Sequence, residues 1–167
     1  MLPSRLSEIS EIPDVMLDTV VQSVKNTFTS ISGEEPTLVE QVRELQPMNG
    51  IIGNIAVFNH EHTLSMMLAV PKETSVSLSV KFVGFELEFE SDDIGDLIGE
   101  ISNILAGEVA MNVETIGFRG QSSLPTATRG SDLRLFLPNK PPSARLRFSS
   151  ADGDFWLYLA LYESQRH

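Results

Sequence analysis

The eight residues Phe155–Tyr162, reading FWLYLALY, are almost continuously apolar. A run this short and this dense suits a central buried strand, so the rest of the chain has to supply a sheet around it and a layer to cover it. Asp152-Gly153 just ahead of it signals a hairpin, with Ala144–Phe148 as the incoming strand. Further upstream, Ile51–Phe58 and Thr63–Val70 read as two strands joined by a turn at Asn59-His60-Glu61-His62, and Asn49-Gly50 signals a turn before the first of them. Leu133–Leu137 reads as another strand, with Pro138–Pro142 as a polar link behind it. The residues from Gly120 to Gly130, GQSSLPTATRG, read as a loop, and Ala110–Gly120 as strand or irregular chain.

Two long stretches have the helical period instead. Pro13 opens the first, where Val15, Met16, Leu17, Val20, Val21, Val24 and Phe28 form one stripe ending near Gly33. The second is Ser91–Gly107, SDDIGDLIGEISNILAG. Its apolar residues Ile94, Leu97, Ile98, Ile101, Ile104 and Leu105 recur at steps of three and four. Ser91 or Asp93 is placed to cap its start, Asp92, Asp93 and Asp96 favour the positive end of the helix dipole, and Gly107 is placed to stop it. Two segments are ambiguous. Residues 34–46 fit an edge strand or a short helix. In residues 72–83, opened by Pro71, Val76, Leu78, Val80 and Phe82 alternate as in a strand, while Val76, Val80 and Val83 fit a helix.

At ~100° per residue, Asp96, Glu100, Asn103 and Gly107 fall within an arc of roughly 60°, well away from the apolar stripe. The helix is thus anchored behind them while they point outward. Asn is a poor helix-interior residue because its amide competes with the backbone. One turn after a Glu, with Gly95, Gly99 and Gly107 around it, it is placed to enter another protein's active site. A carboxamide offers one acceptor and two donors, and can orient an attacking water as Gln does in GTPases. On spacing alone, the plainer alternative stands beside this one: an amphipathic helix whose wet face carries Asp, Glu and Asn.

Composition narrows the choice. The chain has 167 residues, 41% of them hydrophobic, enough for one domain with a real core. We expect a loose tail over residues 1–12 and a single domain over 13–167, with the last residues, ESQRH, fraying. Lys plus Arg number 12 against 23 acids, a net charge of -11. That argues against nucleic acid and against anionic lipid. With no Cys there is no thiol chemistry and no disulfide. No apolar run reaches the ~20 residues that a membrane span requires, and the first residues lack the apolar stretch of a signal peptide, so a cytoplasmic location is expected. His60 and His62 form an H-x-H pair without an evident third ligand, which favours a solvated turn over a metal site. Arg129, Arg134, Lys140, Arg145 and Arg147 gather positive charge in the last third, as a mixed-charge solvent face or as a complement to acids on a partner. Met48, Met66, Met67 and Met111 suit core gaps or a soft binding surface, and Trp156 a core anchor or an interface.

Glu100–Gly107, EISNILAG, resembles the signature of the CheX/CheC chemotaxis phosphatases: an acidic or Ser residue, three residues, Glu, two residues, Asn, and a Pro twenty-odd residues on. The corresponding positions are Asp96, Glu100, Asn103 and Pro125, and Leu124–Gly130 resembles the family's Pro-x-x-x-x-Gly entry into the last strands. Pro125 sits about one residue nearer the Asn than is usual, and Glu108 stands where the family often has Asn. The resemblance implies an α+β, CheC-like fold: an antiparallel or mixed sheet, helices on one face, and the motif helix exposed. It favours a strand within residues 34–46 and a helix over 72–83. It implies a phosphatase for the aspartyl phosphate of a CheY-type response regulator that brings its own Mg²⁺ and Lys. In that reading Glu100 pairs with the Lys, Asn103 positions the water, and Asp96, Gly99 and Gly107 meet the partner. The resemblance implies no cofactor of the chain's own and a homodimer paired through an edge strand. Asp18, Gln22 and Lys25 repeat the motif spacing in the first helix with the wrong residues, as in a lapsed second copy. A non-catalytic module that binds regulators or flagellar-switch components is the alternative.

Overall fold

The computed structural model describes residues 2, 10–42 and 46–164. Most of the tail expected over residues 1–12, and residues 165–167 of the expected frayed end, lie outside them. Ile12 is buried in the core, and Leu2 packs against it.

The chain forms three helices and a seven-stranded antiparallel sheet among the described residues. Helix α1 (Asp14–Ser32) starts behind Pro13 and ends at Gly33, whose φ of 79° is left-handed. Strand β1 (Thr37–Gln41) is an edge strand, followed by β2 (Met48–Phe58) and β3 (His62–Pro71). Between the last two, the Asn59 carboxamide oxygen accepts from the amides of Glu61 and His62 at 2.9 and 2.8 Å, closing the turn. Helix α2 (Lys72–Val83) resolves the ambiguity there in favour of the helix, and helix α3 (Asp92–Glu114) carries the motif. Strands β4 (Gln121–Ser122), β5 (Thr126–Leu133), β6 (Ser143–Ser150) and β7 (Gly153–Glu163) complete the sheet. Its order is β1-β6-β7-β3-β2-β4, with β5 also paired to β2, so the FWLYLALY run is central.

Alternation along each strand divides the sheet. Phe155, Leu157, Leu159 and Leu161 of β7, Leu64, Met66, Leu68 and Val70 of β3, and Leu146 and Phe148 of β6 face the helices in one core. Phe155 stacks between Phe28 of α1 and Phe148, with ring centroids at 4.1 and 5.2 Å; each such pair adds about 0.5–1.5 kcal/mol to simple burial. The other face carries a smaller apolar group of Ile52, Met67, Ala69 and Tyr158. Against it pack Leu133, Leu135 and Leu137, as does Trp156.

Four expectations are corrected. The turn signal Asn49-Gly50 lies inside β2, where Gly50 pairs with both Pro71 and Gly130. A Cβ at Gly50 would lie 2.2 Å from the Val70 oxygen, so close strand packing, not a turn, explains the glycine. Helix α3 does not stop at Gly107 but runs on to Glu114, because Val109 and Val113 continue the buried stripe. A helix glycine costs only about 1 kcal/mol, and the α1–α3 seam offsets it: Glu108 accepts from the amides of Asn26 and Asn112 at 3.0 and 3.2 Å, and Asn112 donates to Ser23 at 2.9 Å. The supposed loop before Gly130 contains strand β5. As an exposed edge strand it shows no apolar alternation to read. Leu133–Leu137, conversely, is not a strand beyond Leu133: its alternate leucines lie over the far face of the sheet without a partner strand.

Helix α3 sits directly on β2. A Cβ built on Gly53 would lie 2.0 Å from Ser102 Oγ and 3.0 Å from Ser102 Cβ, and Ser102 is fully buried, donating to the Ile98 carbonyl at 2.7 Å. Gly53→Ala therefore forces helix and strand apart. We expect a loss of about 1–3 kcal/mol, read as a lower midpoint in urea unfolding, with Ser102→Ala added in the same chain relieving part of it. A Gly53→Ala protein as stable as wild type would refute this packing.

Candidate functional site

The stripe that seats α3 on the sheet, Ile94, Leu97, Ile98, Ile101, Leu105, Val109 and Val113, is buried throughout. Rotation about the helix then puts Asp96, Glu100, Asn103 and Gly107 on the exposed side. Among the described residues, the side chains of Asp96, Glu100 and Asn103 make no hydrogen bond or ion pair. They are held by the helix backbone alone and are free to meet a ligand.

These side chains form one wall of an open groove of about 880 Å³ between α3 and the edge strand. Asp92, Gly95, Asp96, Gly99, Glu100 and Asn103 line it from α3. Leu124, Pro125, Ala127 and Arg129 line it from the other side, with Ile51 of β2. The fold thus brings Asp96, Gly99, Glu100, Asn103 and Pro125 together, although Pro125 is distant in sequence. Gly107 lies on the same helix face but outside the groove lining.

The start of α3 is fixed by Arg129. Its Nη1 donates to the Ser91 and Phe89 carbonyls at 2.6 and 3.1 Å, its Nε lies 3.8 Å from Glu90 Oε2, and its guanidinium lies 6.0 Å from the Phe89 ring centroid. Ser91 occupies the N-cap position without making the expected side-chain cap; its hydroxyl donates instead to the Glu88 carbonyl at 2.6 Å. Arg129 was legible in the sequence only as one of five clustered cations. Its partners are backbone carbonyls 38 and 40 residues away, which no spacing rule reveals. Of the others, Arg147 binds Asp154 at 2.7 Å and Glu40 at 3.2 Å, and Arg134 lies 3.6 Å from Asp132. These contacts make the cationic cluster largely internal pairing.

The remaining candidates do not join the groove. His60 and His62 occupy the β2–β3 turn region, and no group of three or more His, Asp or Glu side chains able to hold a metal ion occurs among the described residues. In α1, Gln22 is bonded to Asn26 at 2.8 Å and Lys25 lies 3.5 Å from Glu35. No helix among the described residues is long and apolar enough to cross a membrane.

The family model for the chemotaxis phosphatase CheX matches residues 48–149, more than half of the chain and all of the groove. The chain belongs to the CheX family. Solved structures agree on the CheX fold. A CheC-like superfamily protein from Shewanella sp. PV-4 superposes with a TM-score of 0.81 at 15% identity, covering 90% of this chain and 99% of the other. The chemotaxis protein CheX from Vibrio vulnificus gives 0.80 at 15% identity, covering 88% and 99%. A CheX–CheY–BeF3–Mg²⁺ complex from Borrelia burgdorferi gives 0.72 at 16% identity, covering 89% and 98%. No curated protein matches the sequence at a significant level. The CheC-like α+β fold implied by the motif, with its antiparallel sheet and exposed motif helix, is therefore the fold of this chain.

Gly95 and Gly99 are not required by packing within the chain: a Cβ at either meets nothing within 4 Å. Gly99→Ala should stabilise the protein by about 0.5–1 kcal/mol, because Gly loses more freedom in a helix than Ala. Asn103→Ala should stay within about 0.5 kcal/mol of wild type, as exposed changes do. Thermal melts of the two variants check both; a large loss from Asn103→Ala would make Asn103 a structural residue.

Proposed function

We propose that this chain dephosphorylates the aspartyl phosphate of a CheY-type response regulator, using Asn103 and Glu100. The observation that carries the reading is the pair itself. A carboxamide and a carboxylate one helical turn apart stand unpaired, among the described residues, in a groove open to a partner. Family membership supplies the reaction class, and a relative with the same fold has been solved with CheY, BeF3 and Mg²⁺.

The chemistry suits a site without a nucleophile of its own. An acyl phosphate already has a good leaving group in the regulator's carboxylate. Water attacks phosphorus in line, the P–O bond to the Asp breaks, the carboxylate leaves with the bond's electron pair, and the water's proton ends on phosphate or solvent. What accelerates this is placing the water and holding the charges. The Asn103 carboxamide oxygen accepts a hydrogen bond from the water and fixes its direction. The Glu100 carboxylate pairs with the regulator's active-site Lys and sets the register of the two proteins. Asp96 and the bare Gly99 face the partner beside them, and Gly107 extends the same face. A Mg²⁺ on the regulator supplies charge neutralisation at the phosphoryl oxygens.

The test is the rate of phosphate loss from a panel of phosphorylated CheY-type regulators, with wild type, Asn103→Ala and Glu100→Ala. At least one regulator should lose phosphate much faster with wild type than alone. Asn103→Ala should lose on the order of 10²-fold in rate, the scale of removing one preorganised polar group, without unfolding. Wild type that speeds no regulator overturns the phosphatase reading; tight binding without acceleration would replace it with the adaptor role.

A further inference from the structure

The edge of the sheet beside the groove contains a bulge. Ser122 pairs with Val57, and Thr126 pairs with Asn54. Between these pairs, Ile55 and Ala56 of β2 face Ser123, Leu124 and Pro125, one residue more than the ladder accommodates. Such an insertion bends the strand and re-aims a side chain. Here it is clamped on both sides. The Ser123 amide donates to the Ala56 carbonyl at 2.8 Å, and the Ala56 amide donates to Ser123 Oγ at 2.8 Å. The serine hydroxyl thus takes the place of a ladder carbonyl. Pro125 has no N–H to leave unpaired, and its ring fixes φ.

The residue this device turns outward is Leu124. It is 88% exposed, more than any other large apolar side chain among the described residues, and it lines the groove opposite Glu100 and Asn103. Its own chain gives it almost no burial, yet the backbone on either side of it is held at three positions, Ser122, Ser123 and Thr126. With the neighbouring backbone already fixed, only the leucine's own rotamers remain to be ordered when a partner covers it, which lowers the cost of using it as a binding anchor. The opposite wall defines that partner's charge. Asp92, Asp96 and Glu100 line it, and α3 has no basic residue from end to end.

We propose that Leu124 is the apolar anchor by which this protein docks the phosphorylated regulator, packing on an apolar spot beside the regulator's phosphoryl site while the acids of α3 face the Lys and Mg²⁺ there. This rests on the function proposed above, and it assigns to the bulge the job of setting affinity rather than the chemical step.

The experiment measures two quantities for wild type, Leu124→Ala, Leu124→Asp and Asn103→Ala. The first is the Kd for a beryllofluoride- and Mg²⁺-loaded CheY-type regulator, by titration calorimetry. The second is kcat and KM for dephosphorylation of the same regulator. Leu124→Ala should raise Kd and KM about tenfold with kcat changed less than twofold, and Leu124→Asp should raise them further, while both keep the wild-type melting temperature. Asn103→Ala should instead lower kcat with Kd little changed. Unchanged Kd and KM in both Leu124 variants, with wild-type catalysis intact, overturn the anchor and leave the phosphatase reading standing. A change in oligomeric state in place of a change in regulator affinity, read by light scattering, overturns it in favour of a second copy of the chain. Wild type that neither binds nor dephosphorylates any regulator overturns both.

Discussion

The seating of α3 on β2 is the constraint on which everything functional depends. Helix and strand approach closely enough that Gly53 has no room for a methyl group under Ser102, and eight apolar residues of α3 are buried against the sheet and the neighbouring helix α1. A helix fixed along one stripe has no rotational freedom left. Its far side, with Asp96, Glu100 and Asn103, is therefore presented at a set angle without side-chain bonds to hold it. Arg129 adds the axial restraint by tying the Phe89 and Ser91 carbonyls to β5. The same strand supplies the opposite wall of the groove. Site and scaffold are thus one object: the edge strand that positions the helix also faces it.

This arrangement explains an economy in the polar residues. Ordinary structural roles absorb the conspicuous ones elsewhere. Glu108, Asn112, Asn26 and Ser23 bind α1 to α3. Arg147 joins β1, β6 and β7 through Glu40 and Asp154. Thr74 and Ser77 dock α2 on the β6–β7 hairpin, donating to the Asp154 carbonyl and to Asp152 at 2.7 Å each. Glu100 and Asn103 take no part in such bonding among the described residues, and Leu124 takes almost no part in the burial.

Much of this was legible in the residues. Period-3.6 stripes located α1 and the first part of α3, because those helices bury one face on the sheet. The dense FWLYLALY run located the central strand, because both of its faces carry apolar neighbours. The outward face of the motif helix followed from geometry alone. What failed to show shares a physical reason: it depends on neighbours remote in sequence. Strand β5 is exposed and polar, and only β2 makes it a strand. The last two turns of α3 follow a glycine that reads as a helix stop, and the contacts of Val109, Val113 and Asn112 carry the helix past it. The bulge at Leu124 is defined by a register against β2. The resemblance to CheX resolved the ambiguous segments 34–46 and 72–83, where propensity alone supported either state.

The central claim is that the Asn103 side chain enters a regulator's phosphoryl site. It is tested most directly by following the Asn103 carboxamide proton signals by NMR while a CheY-type regulator is added, with and without beryllofluoride and Mg²⁺. The account predicts that the regulator loaded with beryllofluoride shifts these signals and slows their exchange with solvent, and that the unloaded regulator does so weakly. Carboxamide signals that stay unchanged in a saturated complex with the loaded regulator would contradict it.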